Sequence, residues 1–164
     1  MNWQLAQADQ HEHEALVDIW ERAVRATHRF LAESDIRFYH RIVRDEALGA
    51  VELWVARDAH GAPVGFMGLD GERIEMLFVD PDYHGRGIGS ELIRHAERMK
   101  GPGLQVDVNE QNEGAFSFYS RYGFVQTGRS ETDGSGKPFP LASYEASKLG
   151  QEISQLRFAR SVQM

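Results

Sequence analysis

The stretch Val79-Asp80-Pro81-Asp82-Tyr83-His84-Gly85-Arg86-Gly87-Ile88-Gly89-Ser90 joins a strand-like run, Arg73 to Val79, to a segment in which Ile88, Leu92, Ile93, Ala96 and Met99 recur at helical spacing. Glycine at 85, 87 and 89 lets the backbone take positive φ and approach a ligand closely, while the first amides of the helix have no carbonyl one turn back to bond. The helix dipole favours negative charge at such an end. The spacing therefore predicts an anion site at the start of a helix from about Gly87 to Lys100, stopped by Gly101-Pro102-Gly103. Two phosphate motifs fail here. A dinucleotide fingerprint would need its third glycine at position 90, which is Ser90, and no Gly-Lys-Ser/Thr run exists for a P-loop. A plain tight turn would account for one or two of the three glycines, not for their alternation on a helix entrance.

Working outward, Trp3 to Ala8 reads as a short first strand, and Asp9 stands where a helix cap would. Leu16, Val17, Ile19, Trp20, Ala23 and Val24 then mark one face of a first helix. A second helix is expected over about Asp35 to Leu48, with Gly49 as its stop. Val51 to Ala56, Val64 to Leu69 and Arg73 to Val79, separated by turn residues at Asp58 to Pro63 and at Asp70-Gly71, give three successive strands. Beyond the glycine-rich helix come a strand over Leu104 to Val108 and a short helix bearing Ala115, Phe116, Tyr119 and Tyr122 that stops at Gly123. Two last strands follow, Phe124 to Thr127 and Leu141 to Ala146. The order is that of a mixed α/β layer with a strand-to-helix unit in the middle. No repeat or linker separates domains, and residues 148–164 are mostly polar with Ile153, Leu156 and Ala159 at helical spacing.

Composition removes several classes. At 164 residues one domain is expected, burying roughly 70% of the surface its unfolded chain exposes. With no Cys there is no disulfide framework, no Cys-ligated metal and no thiol nucleophile. The N-terminus lacks export features, and no run approaches ~18 apolar residues, so a cytoplasmic protein off the membrane is expected. A net charge of -7 argues against a broad phosphate-neutralising face for nucleic acid, but screening over ~8 Å leaves local charge to decide on one small anion. Near the turn stand His84, Arg86, Arg94 and Arg98, partly offset by Glu91 and Glu97. His11 and His13 alternate with Glu12 and Glu14, a pattern that on a helix splays the two imidazoles apart, so no metal site is expected.

Leu77-Phe78-Val79-Asp80-Pro81 with His84-Gly85-Arg86-Gly87-Ile88-Gly89, followed about 25 residues on by Asn112-Glu113-Gly114-Ala115-Phe116-Ser117-Phe118-Tyr119 and Tyr122-Gly123-Phe124, resembles the GNAT superfamily of acetyl-CoA-dependent N-acetyltransferases. The resemblance spans about residues 3 to 147 and implies an acetyltransferase domain over 1–147. Its fold would be single-domain α/β, with a mixed and mainly antiparallel sheet of about 6–7 strands flanked by about 4 helices. It implies that the amides of Gly85, Arg86, Gly87, Ile88, Gly89 and Ser90 hold the coenzyme pyrophosphate, and that the backbone of Leu77, Phe78 and Val79 pairs with the pantetheine arm. It further implies Tyr119 beside the thioester sulfur, and Asn109 or Asn112 on the coenzyme's amide groups. The chain departs from the family at His84, a titratable imidazole where Arg or Gln is usual, which weakens coenzyme affinity or makes it pH-sensitive unless Arg86 compensates.

Acetyl transfer to an amine needs a neutral amine, a polarised thioester carbonyl and a protonated leaving thiolate. A lysine-like amine at pKa ~10.4 lies about 3.4 units from neutrality at pH 7, roughly 4.6 kcal/mol, so a base or a desolvating pocket helps. Glu75 is the first candidate, with a solvent-facing strand carboxylate as its alternative; His28 and Asp107 come next. A backbone N–H near Leu77 or Phe78 would hold the carbonyl oxygen. Tyr119 at ~10 giving a proton to a thiolate at ~8.5 faces about 2 kcal/mol uphill. The break at Thr27-His28-Arg29-Phe30-Leu31 is the expected acceptor-selecting loop, with Phe30 and Leu31 either an apolar wall or a helix packing contact. No metal is called for. The missing cysteine excludes a cysteine-linked acetyl-enzyme, so direct attack within a ternary complex is expected. The competing readings are a noncatalytic coenzyme A binder on the same fold and a nucleotide-phosphate module. The last strand or the tail after Lys148 offers a homodimer contact.

Overall fold

The computed structural model describes residues 3–146, so the tail read as helical, 148–164, lies outside the described residues. The described residues divide into two compact units, one up to residue 96 and one from residue 97 on.

In the first unit, β1 (Gln4–Gln7), β2 (Glu52–Arg57), β3 (Pro63–Asp70) and β4 (Arg73–Val79) pair antiparallel in chain order. A single 3-10 turn, Gln10–Glu12, leads into α1 (His13–Thr27), and the Glu12 carboxylate accepts the Asp9 N–H at 2.9 Å. The six positions read as the apolar face of this helix are the ones it buries. All of them but Ala23 meet Ile36, Val43, Leu48, Val55, Phe66 and Met76 in one core.

The second helix differs from its expected bounds. α2 spans Glu33–Ile42, starting where the Asp35 carboxylate accepts the Ala32 N–H at 3.0 Å, and continues through a π turn, Val43–Ala47, into a last α turn, Leu48–Ala50. The wider π repeat brings Val43 and Leu48, five residues apart, onto the same core, at 7% and 1% exposure. Gly49 lies inside that last turn without a positive φ. The helix stops only at Val51, which turns extended at φ −126° to enter β2.

Along β3, Gly65, Met67 and Leu69 alternate with Phe66 and so face the other side of the sheet. There α3 (Ile88–Lys100) packs: a Cβ on Gly65 would stand 3.1 Å from the Ile88 side chain, so the glycine sets how closely the helix start approaches the strand. Ile88, Leu92, Ile93 and Ala96 are buried beneath it.

In the second unit, β5 (Gln105–Asn109), α4 (Glu113–Tyr122), β6 (Phe124–Ser130) and β7 (Leu141–Ala146) follow one another. β7, the last of the described strands, lies between β5 and β6 and pairs antiparallel with both. Its buried face, Ala142, Tyr144 and Ala146, joins Val106 and Val108 of β5. Gly123 ends α4 in the left-handed region at φ +118°, donating its N–H to the Tyr119 and Ser120 carbonyls. β6 runs three residues past the expected Thr127, almost wholly exposed beyond Phe124. The seven strands and four helices among the described residues are those of the expected α/β class.

Candidate active site

The site is built from the end of β4. Asp80 donates its N–H to the Val64 carbonyl at 2.8 Å, and its side chain accepts the Asp82 N–H at 3.0 Å, capping a 3-10 turn over Pro81–Tyr83. The chain then passes Gly85 at φ +77° and Gly87 at φ +84°, values that L residues adopt only under strain. An added Cβ at either glycine would meet nothing within 4 Å. Gly89 has no positive φ, so only two of the three alternating glycines are demanded by backbone conformation. Glu91 makes the first helical bond, to the Gly87 carbonyl at 3.0 Å, which leaves the amides of Ile88, Gly89 and Ser90 without an intrahelical acceptor. His84 to Gly87 are exposed, Gly89 and Ser90 half-buried, and Ile88 offers only its backbone because its side chain is in the core. The Arg86 guanidinium lies 5.0 Å over the Tyr83 ring, which meets Trp3 edge-on at 5.7 Å. An exposed turn ahead of unpaired helix amides, with a cation beside it, is geometry suited to an anion.

Asp80 is buried and forms a forked ion pair with Arg22 of α1, Nη1 to Oδ1 and Nη2 to Oδ2, both 2.8 Å. Burial pushes the Asp80 carboxyl up, but the bonds from Arg22 and Asp82 outweigh it and hold it below the usual range. The sequence reading passed over Arg22. Its only local signal was Asp18 one turn earlier, which takes the Arg22 Nε at 2.9 Å.

Register decides which β4 groups face a ligand. Because Asp80 bonds Val64, the alternation of an antiparallel ladder makes Phe78 a bonded partner of Phe66 and turns the N–H and C=O of Leu77 and Val79 away from β3. Of the three residues expected to pair with an extended ligand arm, Phe78 is therefore committed to β3. The Val79 carbonyl already accepts from His84 Nε2 at 2.9 Å. The His84 side chain, expected to lie toward a phosphate, thus folds back onto the strand end. Glu75 is the extra residue of a β-bulge, since Met76 opposes Gly68 while Ile74 opposes Leu69. It is exposed and lies 3.7 Å from Arg73.

The Thr27–Leu31 break closes α1. The Thr27 hydroxyl donates to the Ala23 carbonyl at 2.8 Å and sits 2.7 Å from His28 Nδ1. Its one proton being used, Nδ1 must be the donor and Nε2 carries the lone pair. Burial lowers the His28 pKa to about 4, so the ring is neutral at pH 7. Phe30 lies 5.4 Å from the His28 ring, and Leu31 packs against the α1–α2 core, as its packing alternative anticipated.

In the second unit, Asn112 caps α4, its side-chain oxygen accepting the Ala115 N–H at 3.2 Å, which leaves its amide nitrogen outside the cap. Asn109 lines a cavity of about 110 Å³ with Glu110, Phe116, Gln126 and Tyr144. Phe116, expected on the short helix and in the motif, is 51% exposed. Tyr119 is more enclosed than a half-buried helix aromatic, 6% exposed, with its ring 5.3 Å from Phe124, and burial raises its phenol pKa. Asp107 accepts the Ser143 hydroxyl at 2.7 Å. Among the described residues no three His, Asp or Glu side chains gather to hold a metal, and no helix is long and apolar enough to cross a membrane.

The profile of the acetyltransferase (GNAT) domain matches residues 15–139. A peptidyl-lysine N-acetyltransferase, YjaB, of Salmonella typhimurium is 48% identical over 130 residues, 79% of this chain and 88% of that protein. The solution structure of apo-form YjaB from Escherichia coli superposes with a TM-score of 0.82 at 44% identity, covering 89% of this chain and 98% of that one. The N-acetyltransferase PaiA of Thermoplasma acidophilum, solved in complex with coenzyme A, shares the fold at a TM-score of 0.67 and 21% identity, over 88% and 99% of the two chains. A glycine turn ahead of unpaired helix amides, the strand before it and the Asn112–Phe124 motif all fall in the matched region, and the chain belongs to the GNAT family of N-acetyltransferases.

Proposed function

We propose that this acetyltransferase moves the acetyl group of acetyl-CoA directly to the side-chain amine of lysine in a protein or peptide, with residues 1–147 acting as the catalytic domain. The observation that carries the reading is the exposed turn with left-handed Gly85 and Gly87 before three uncommitted amides, in a chain 48% identical to a protein named for peptidyl-lysine acetylation. The names of the relatives favour transfer over a noncatalytic coenzyme binder.

Acetyl-CoA supplies the activated thioester; the rest is done by the chain. The amides of Gly85 to Ser90, with Arg86 beside them, hold the pyrophosphate. The Leu77 N–H, turned away from β3, is the donor to the acetyl carbonyl oxygen, a role closed to Phe78 by its bond to the neighbouring strand. Glu75, presented on its bulge, accepts the proton of the attacking amine. Asn109 and Asn112 bond the amide groups of the pantetheine arm, and His28 and Phe30, with Leu31 behind them, bound the acceptor. Tyr119 gives its proton to the leaving thiolate. Burial keeps the phenol protonated at any working pH but widens the gap to a free thiol beyond 1.5 units; a thiolate formed in the same dry surroundings is raised too, which narrows it again.

The test is mass spectrometry and free-thiol release with acetyl-CoA and four acceptors: a lysine peptide, the same peptide with its lysine blocked, a free amino acid and a small diamine. Acetylation of the unblocked lysine peptide alone is the expected result. Thiol release with the diamine or amino acid and none with the peptide overturns the acceptor assignment.

A further inference from the structure

We infer that Arg22 of α1 is a positioning residue for the coenzyme, acting through Asp80 to hold and electrically neutralise the base of the glycine turn. This rests on the acetyl-CoA reading of that turn. Asp80 is the hinge between β4 and the cradle. Its N–H ties to Val64, its carbonyl accepts the Tyr83 N–H at 2.8 Å, and its carboxylate takes two nitrogens of Arg22 and the Asp82 amide. The direction in which the chain leaves the sheet toward Gly85 is therefore set by one carboxylate, whose side chain is 10% exposed.

Arg22 is not placed to hold phosphate itself. All three of its guanidinium nitrogens are engaged, two by Asp80 and Nε by Asp18. Its contribution is indirect and has two parts. A planar fork fixes the carboxylate in orientation, which a point charge does not. It also cancels a buried negative charge five residues before Gly85, where an uncompensated carboxylate would oppose the incoming anion. Tyr83, three residues on, carries the position forward by holding the Arg86 guanidinium over its ring.

Arg22→Met, Arg22→Lys, Asp80→Asn and the Arg22→Met/Asp80→Asn double variant separate these parts. Coenzyme A binding is read by calorimetry, KM and kcat by thiol release, and folding by thermal unfolding. Arg22→Met is expected to weaken coenzyme A binding and raise the acetyl-CoA KM about tenfold, with kcat and the acceptor KM within about threefold. Arg22→Lys, keeping charge without the fork, is expected to lose about threefold. Adding Asp80→Asn to Arg22→Met is expected to cost nothing more in binding, because the uncompensated charge goes with it. Additive losses, a fall in kcat as large as the rise in KM, or unchanged coenzyme affinity overturns the inference. Should Arg22→Met not fold, Arg22→Lys and Asp80→Asn carry the same test. Absence of coenzyme A binding by the unaltered protein would overturn the acetyl-CoA reading instead, a different outcome from a binding protein indifferent to Arg22.

Discussion

The glycine turn of the first unit and the Tyr119 helix of the second are held by opposite means. From Asp80 to Gly87 the chain is mostly exposed and kept in shape by directional polar ties: Arg22 on Asp80, Asp80 on the Asp82 amide, His84 on the Val79 carbonyl. Tyr119 is enclosed by rings, with Phe118 and Phe124 edge-on to it at 5.1 and 5.3 Å. An anion must be met by fixed N–H groups open to solvent, whereas a phenol that is to keep its proton is best served by the absence of water. The contrast predicts that changes in the turn strike binding more than folding, and changes at the buried rings strike protonation.

The largest effect is expected at Gly87. Alanine at φ +84° costs about 1–2 kcal/mol of backbone strain. Its Cβ would meet no protein atom and so stands on the side open to a ligand. Gly87→Ala should therefore lower kcat/KM for acetyl-CoA roughly 100-fold, about 2.7 kcal/mol, well beyond its cost in unfolding free energy. A binding loss no larger than the stability loss would make the turn an ordinary loop.

His28 tests whether burial governs protonation in the first unit as it does at Tyr119. Its pKa is about 4 in the folded chain against an ordinary 6.5, so the unfolded state binds the extra proton between those values. The stability it contributes is whole above pH 6.5 and is lost as pH falls toward 4. Between pH 7 and 4.5 the loss is about 2.5 kcal/mol. Asp80 and Glu12, both held below the usual carboxylate range by arginine partners, give way only under more acid conditions. Urea unfolding at the two pH values should show that drop in the wild-type chain and little of it in His28→Gln; equal slopes would mean the imidazole is not kept neutral by the fold.

At Tyr119 the enclosing rings allow a clean removal of the hydroxyl. Tyr119→Phe keeps the packing on Phe124 and should reduce turnover at least tenfold, about 1.4 kcal/mol, with coenzyme A affinity within a factor of a few. Unchanged turnover would remove Tyr119 from the mechanism.

How far these regions were legible in the sequence follows the same division. The turn was readable because its chemistry is local: positive φ, a helix entrance and their spacing lie within a dozen residues. The face of α1 was readable for the same reason, a period of 3.6 sustained over fifteen residues. Arg22 was not, because its partner is 58 residues away and no local pattern names it. Nor was the commitment of Phe78, since which strand groups face a ligand depends on the register with β3, a tertiary fact that one strand's alternation cannot supply. The bulge at Glu75 is hidden likewise. Gly49 misled for a physical reason: glycine after an apolar periodic run usually ends a helix in the left-handed region, yet here a π turn had already shifted the phase and the helix carried on.

That misreading supplies the smallest and most discriminating test of the turn. Gly49 and Gly87 differ in what their backbone asks of them: Gly49 sits in a helical turn with no positive φ and open space where a Cβ would go, Gly87 at φ +84° with the same open space. Only conformation separates them, so the same substitution should have opposite signs. Gly49→Ala restricts the unfolded chain without straining the folded one and is expected to stabilise by about 0.5 kcal/mol. That corresponds to roughly 1–2 °C in Tm, with kinetics for acetyl-CoA unchanged. If both alanine variants destabilised to the same degree, the left-handed geometry of Gly87 would lose its standing as the reason a glycine is needed there, and the cradle would have to be explained by its amides alone.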